Sequence, residues 1–310
     1  MKTIQKDVVL APYTTFKIGG PAKFFVSVSS TKEIQEALLW AREKKVPVFL
    51  LGGGSNILIS DQGFQGLVIH LEESPPQVEG NVIRSFSGTM LGSVVERARD
   101  ASLSGMQNLA GVPGSLGGAV RGNAGAFGVE MKDIISSVEA IDRNTLEIQQ
   151  FSNQECHFSY RMSVFKNRED WVVTEAQCTL VPGKKEDITQ VMQETIQQRN
   201  DRQDQTAKCA GSFFMNPVVN NESLRKEFED EAGSPCRENK IPAGWLIDKV
   251  GLRGKRIGDA MVSESHPNYI LNVGEATAEQ VIMLMSYIKQ HVRHECEVQL
   301  MQEVQFVGFE

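Results

Sequence analysis

Two clusters of glycine constrain this chain more than any other feature. Residues 49–58 read FLLGGGSNIL, a short apolar run feeding into three glycines, a serine and an asparagine. Residues 110–128, AGVPGSLGGAVRGNAGAFG, carry seven more glycines. Glycine loses more conformational freedom on ordering than any other residue, so each cluster marks a place that needs bare backbone. A glycine turn after a strand can aim several N–H groups into one concavity, which suits a phosphate or pyrophosphate. Gly52, Gly53 and Gly54 would supply the backbone, and Ser55 and Asn56 side-chain donors. The same residues could instead close a hairpin that binds nothing. Two common nucleotide motifs are excluded. Ile57 stands where G-x-G-x-x-G needs its last glycine, and no Gly-Lys-Ser/Thr follows.

The second cluster reads as a long loop, and long loops without structure in compact domains are usually functional. Two glycine-rich loops in adjoining blocks could together enclose one extended, flat, diphosphate-bearing cofactor. A dinucleotide flavin fits that description.

The rest of the composition narrows the class. Hydrophobic residues make up 41% and charged residues 23% of the 310, a globular balance. With a net charge of -7 and no basic block, a nucleic-acid partner is not indicated. The opening MKTIQKDVVLAPYTTF has no signal-peptide core, and no run is long enough to cross a bilayer. Five scattered cysteines without a C-x-x-C pair indicate neither a disulfide framework nor a zinc ribbon. These features predict a reduced, cytoplasmic protein. HVRHEC, with His291 and His294, lacks H-E-x-x-H spacing and sits on a helical stripe, so no metal site is expected.

Periodicity supplies the elements. Ser30 and Glu33 form a capping-box pattern ahead of Ile34, Ala37, Leu38 and Ala41. A short buried strand over Val46–Leu51 should follow, making residues 24–69 strand, helix, strand, glycine loop, strand. Leu91, Val94, Val95 and Ala98 predict a second helix, with Gly105 as its stop. Strands are expected at 138–141 and 171–180, and a helix through Ile188, Val191, Met192, Thr195 and Ile196. A third block from about 205 should hold a helix capped by Thr277 and Gln280, with its stripe at Val281, Leu284, Met285, Ile288 and Val292. The apolar strand EVQFVG closes the chain. Strands and helices mix without sustained βαβ alternation, which suggests an α+β fold.

Seven segments occur in an order that carries a resemblance: PYTTFKIGGPA (12–22), LGGGSNILISDQGFQGLVI (51–69), AGVPGSLGGAVRGNAGAFG (110–128), FSYRMSVFK (158–166), AGSFFMNP (210–217), AGWLID (243–248) and EVQFVG (303–308). Together, over nearly the whole chain, they resemble the UDP-N-acetylenolpyruvoylglucosamine reductase family. The resemblance implies a two-part FAD-binding module of the vanillyl-alcohol-oxidase type, residues 1–70 and 71–203, followed by a C-terminal α+β substrate domain, 204–310. It implies noncovalent FAD, held by Gly52, Gly53, Gly54, Ser55, Asn56, Gly111, Val112, Pro113, Ser115, Gly117, Gly118, Asn123, Ala124 and Gly125. NADPH would reduce the flavin. The substrate would be UDP-GlcNAc-enolpyruvate and the product UDP-N-acetylmuramate, for peptidoglycan. Another oxidoreductase on the same flavin module, or a nucleotide-binding protein without catalysis, are the alternatives.

The chemistry needs charge stabilisation at an enolpyruvyl carboxylate and a proton donor for the adjacent carbon. The resemblance places these roles on Arg161, Ser212 and Glu303. Outside the motif each has a plainer reading: a salt-bridged arginine, a turn serine, an exposed strand glutamate. Cys209 is a rival donor, but the motif register selects Ser212. Asn216 is implied at the substrate, and Lys249, Arg253, Arg256, His266 and Asn268 are candidates for the diphosphate or its sugar, with Lys249 and His266 equally able to be surface residues. Two positions depart from the family pattern: Gln305 stands where many relatives carry arginine, and Met215 where lysine or glutamine is usual. No tyrosine lies between Arg161 and Ser212. That resembles the loop-lacking subgroup, type II, in which other residues must close over the substrate.

Overall fold

The computed structural model describes residues 2–202 and 206–309. The expected boundary at 203/204, and the start of the third block at 205, lie outside the described residues. The chain divides into two units, each assembled from separated stretches. The first comprises residues up to 8, 22–53 and 65–201; the second comprises 9–21, 54–64 and the residues from 202 on.

The first unit is built on two sheets. One has four strands in the order Gln5–Val9, Pro21–Val28, Phe64–Leu71, Val48–Leu51. Its last pair is parallel, Val48 opposite Leu67 and Leu51 opposite His70. The other is antiparallel throughout, in the order Ile148–Ser152, Ile135–Asp142, Trp171–Thr179, Val82–Phe86, Gln77–Glu79. Helix Thr31–Lys44 joins them. Its apolar face, Ile34, Ala37, Leu38 and Ala41, shares a core with Val26, Val28, Leu67 and Ile69 of the first sheet and Ile141 and Val172 of the second. A larger core lies under helix Leu91–Asp100, whose Leu91, Val94, Val95 and Ala98 pack with Ile83, Val138, Val173 and Met192.

Several expectations shift here. The strand begins at Val48 rather than Val46, and only Leu51 within it is buried. Ser30 caps the first helix by accepting from the Glu33 N–H, while the Glu33 carboxylate reaches one residue further back, to the Ser29 N–H at 2.7 Å. The Leu91 helix stops at Asp100, capped by Ala101, before Gly105 is reached. The long glycine-rich loop is partly helical: Leu116–Arg121 forms a short helix, with Ser115 as its N-cap accepting from Gly118 N–H.

The second unit has a four-stranded antiparallel sheet, Cys209–Ser212, Tyr269–Asn272, Ala260–Val262, Arg256–Ile257. Helix Ala278–Cys296 buries Val281, Leu284, Met285, Ile288 and Val292 against it. Its capping box forms as the sequence predicts, with Thr277 accepting from Gln280 N–H. A second cap was not foreseen: the Asp61 carboxylate accepts from the N–H groups of Ala278 and Glu279, at 2.9 and 3.2 Å. Together these satisfy donors that every helix N-terminus leaves unpaired. The strand Ile57–Ile59, just past the glycine turn, pairs in parallel with Gln305–Val307 near the other end of the chain. Residues 54–64 are thereby fastened to the C-terminal residues by a strand pair and a helix cap.

Candidate functional site: two sets of donors

In the first unit the two glycine clusters touch. A Cβ on Gly52 would lie 2.3 Å from Ser115 Oγ, and one on Gly53 would lie 2.7 Å from Gly114 Cα. At Gly53 the neighbours are main chain, so only glycine permits that approach, and the turn at 52–53 and the segment at 114–115 lie against one another. Among the described residues no protein acceptor takes the backbone N–H of Gly53, Gly114 or Ser115. Bare, fixed N–H donors are what a pyrophosphate needs, so this backbone fits the cofactor that the resemblance implies. Gly111, Pro113 and Gly118 are exposed, Val112, Ala124 and Gly125 half-buried, and Gly117 and Ser115 buried. Asn123 differs from its neighbours. It is 1% exposed, and its amide is committed to Glu130, Ser159 and Lys132. Its backbone N–H is given to Val120 O, so only its carbonyl is left to offer a cofactor.

Arg161 lies in the same unit, on a two-residue turn between Ser159 and Met162, which exchange both backbone hydrogen bonds. Its φ of +56° is in the left-handed region. Its guanidinium sits 5.6 Å from the centre of the Tyr160 ring.

In the second unit Gly54 takes φ +61°, and a Cβ there would lie 2.1 Å from Tyr13 O. Asn56 donates through Nδ2 to Ala210 O at 3.1 Å, and its own carbonyl accepts from Gln305 N–H. Asn56 therefore ties the residues after Gly54 to the strand bearing Ser212. That strand, Cys209–Ser212, has an irregular register against Tyr269–Asn272 just before Ser212. The residue after Ser212, Phe213, accepts at its carbonyl from Glu303 N–H at 2.8 Å. The structure thus brings the Ser212 and Glu303 segments side by side.

Ser212 lines a cavity of about 440 Å³, together with Asn216, Trp245, Asp248, Arg253 and His266. Asn216 Oδ1 caps helix Ala243–Lys249 by accepting from Ala243 N–H at 3.0 Å. Its Nδ2 has no protein acceptor among the described residues. Arg253 is held by Asp248 through two hydrogen bonds, 2.5 and 2.7 Å, and also donates to Glu264 O. The Arg253 hydrogen bond holds the Asp248 carboxyl below the usual carboxylate range. His266 rests against Tyr269, ring centres 4.3 Å apart.

The remaining predicted residues are placed differently. Asn268 reaches the lining, but its amide is spent on both backbone groups of Phe214. Lys249 does not line the cavity; it pairs with Glu227 and lies over the Trp245 ring. Arg256 pairs with Asp259 at 3.1 Å. Sequence reading missed Trp245 and Asp248 as lining residues, though both stand in the AGWLID segment; they fall three apart on one short helix, hence on one face.

A model described as an FAD binding domain matches residues 22–149, across the glycine turn and the glycine-rich segment. The fold and these donors define an FAD-dependent oxidoreductase. A model of the UDP-N-acetylenolpyruvoylglucosamine reductase C-terminal domain matches residues 202–307. The reductase of that name from Solibacter usitatus is 33% identical over 98% of this chain and 97% of its own. That from Caldanaerobacter subterraneus is 37% identical over 96% and 91%. The crystal structure of the Thermus caldophilus enzyme superimposes with a TM-score of 0.78, at 31% identity, over 99% of this chain and 100% of its own. The chain belongs to the UDP-N-acetylenolpyruvoylglucosamine reductase family.

Proposed function

We propose that this protein reduces UDP-GlcNAc-enolpyruvate to UDP-N-acetylmuramate at the expense of NADPH, in the cytoplasm, as a step of peptidoglycan precursor synthesis. The observation that carries the reading is Ser212: a hydroxyl opening on a cavity that also presents the Asn216 amide and the Arg253 guanidinium. A nucleoside diphosphate sugar is the kind of ligand those groups suit, since cations and N–H donors bind phosphate. Among the described residues no helix is long and apolar enough to cross a membrane.

Noncovalent FAD, when bound, takes two electrons as hydride from NADPH and gives them to the substrate. The glycine turn 52–56 and the segment 111–125 would hold it, with the N–H groups of Gly53, Gly114 and Ser115 as donors. Residues 1–70 and 71–203 would serve the cofactor, and 204–310 the substrate. Arg161 would pair with the enolpyruvyl carboxylate and stabilise the charge that builds there. Glu303 would act as the acid that polarises the same group. Ser212 would deliver a proton to the carbon next to the carboxylate, taking another from solvent afterwards. One hydride and one proton then account for the saturated product, with NADP⁺ released. Arg253, oriented by Asp248, and Asn216 would hold the UDP portion. The absence of a tyrosine between Arg161 and Ser212 supports a type II enzyme.

One anaerobic experiment tests the reading. NADPH should bleach the flavin, and UDP-GlcNAc-enolpyruvate should restore its colour. A flavin reoxidised only by oxygen, indifferent to the UDP-sugar, would overturn it in favour of another oxidoreductase on this fold.

A further inference from the structure

We infer that Asn123 is a positioning residue for Arg161, and that its side chain serves the catalytic turn rather than the cofactor; this rests on the role proposed above for Arg161. The turn that carries Arg161 is only two residues wide, closed by Ser159 N–H to Met162 O at 3.0 Å and Met162 N–H to Ser159 O at 3.1 Å. Arg161 takes φ +56° within it, a conformation that side chains with a Cβ disfavour. Such a turn needs outside support to hold one geometry. Three hydrogen bonds supply it. Asn123 Nδ2 donates to Ser159 O at 2.9 Å, Ser163 Oγ donates to Arg121 O at 2.7 Å, and Lys166 Nζ donates to Arg161 O at 3.0 Å. The first two tie both flanks of the turn to residues 121–123.

Those residues form a rigid anchor. The short helix ending at Arg121 closes with Asn123 N–H to Val120 O and Ala124 N–H to Ala119 O. This is the Schellman pattern, with Asn123 at the left-handed position after the cap, φ +42°. Asparagine tolerates that conformation, and its amide is used on every side: Nδ2 also donates to Glu130 Oε2 at 2.9 Å, and Oδ1 accepts from Lys132 N–H at 3.0 Å. Glycine is the commonest residue at this position. Asn123→Gly therefore keeps the helix stop and removes only the side-chain bonds.

The test uses the FAD-loaded enzyme and measures its two half-reactions separately, flavin reduction by NADPH and reoxidation by UDP-GlcNAc-enolpyruvate. Asn123→Gly should retain flavin, be reduced within twofold of the wild-type rate, and be reoxidised at least about tenfold more slowly, because displacements near 1 Å can cost about a hundredfold. In an Arg161→Ala background the same substitution should cost less than twofold, since a residue acting through Arg161 has nothing left to position. Ser163→Ala, which loosens the other flank and leaves Asn123 intact, should show the same selective slowing; it keeps the inference open to refutation if Asn123→Gly folds poorly. Loss of flavin from Asn123→Gly, equal slowing of both half-reactions, or an undiminished penalty beside Arg161→Ala would each overturn the inference alone. Wild-type reoxidation in Arg161→Ala would instead remove the assigned role of Arg161, and the inference with it.

Discussion

The two units offer ligands different materials. The first offers backbone: a turn at Gly52–Gly53 pressed against Gly114–Ser115, with N–H groups left over. The second offers side chains: Ser212, the Asn216 amide, and a guanidinium locked by a carboxylate. A backbone site tolerates no added atom but is indifferent to most chemistry nearby. A side-chain site tolerates small steric change but fails when one functional group is lost. The two should therefore break in different assays.

The largest effect belongs to the side-chain site. Ser212→Ala removes one oxygen and should leave flavin binding and NADPH reduction close to wild type. Reoxidation by UDP-GlcNAc-enolpyruvate should fall by about 10²–10⁴, the usual worth of a positioned proton donor. Equal rates in both half-reactions would return the proton to another group.

Next comes the backbone site. Gly53→Ala would place its Cβ 2.7 Å from Gly114 Cα and 3.0 Å from Ser115 N, where only main chain could give way. Overpacking of this kind costs about 1–3 kcal/mol. The measurement is a fluorescence titration of apoprotein with FAD alongside a thermal melt. Weaker FAD binding by about tenfold or more is expected, with the cavity at Ser212 unaltered. Unchanged FAD affinity would show that the contact between the glycine clusters is merely structural.

Arg253→Lys should act on one step only. Lysine keeps the charge but loses the planar fork that grips Asp248 through two bonds. KM for the UDP-sugar should rise about tenfold, a change of about 1.4 kcal/mol, while the rate of flavin reduction stays the same. A fall in kcat with KM unchanged would place Arg253 away from ground-state binding.

The same contrast explains what the sequence made legible. Backbone demand is written as glycine, so both clusters stood out, as did helices whose caps and stripes are local, such as Ala278–Cys296. Non-local arrangement was hidden. Nothing near Ile57 announces a partner at Gln305, and nothing near Asp61 announces the helix it caps. Helix Leu116–Arg121 was concealed because LGGAVR has too little apolar periodicity to register. Side-chain roles were legible by type but not by commitment. Asn268 and Asn123 look like ligand groups until their amides prove to be fully bonded within the protein, and Lys249 looks free until Glu227 takes it.

The smallest effect tests the glycine reasoning itself. If glycine at 53 is required by contact rather than by membership of a glycine-rich unit, a glycine of the same unit without contacts should be replaceable. Gly92 sits in the first turn of helix Leu91–Asp100, and a Cβ there would meet nothing within 4 Å. Alanine is the better helix former by about 1 kcal/mol. Gly92→Ala should therefore leave FAD affinity unchanged and raise stability by up to about 1 kcal/mol, read as a higher melting temperature. A destabilised Gly92→Ala would mean that the helix start carries a constraint that the contacts do not show, and the explanation of Gly53 by close approach would lose its control.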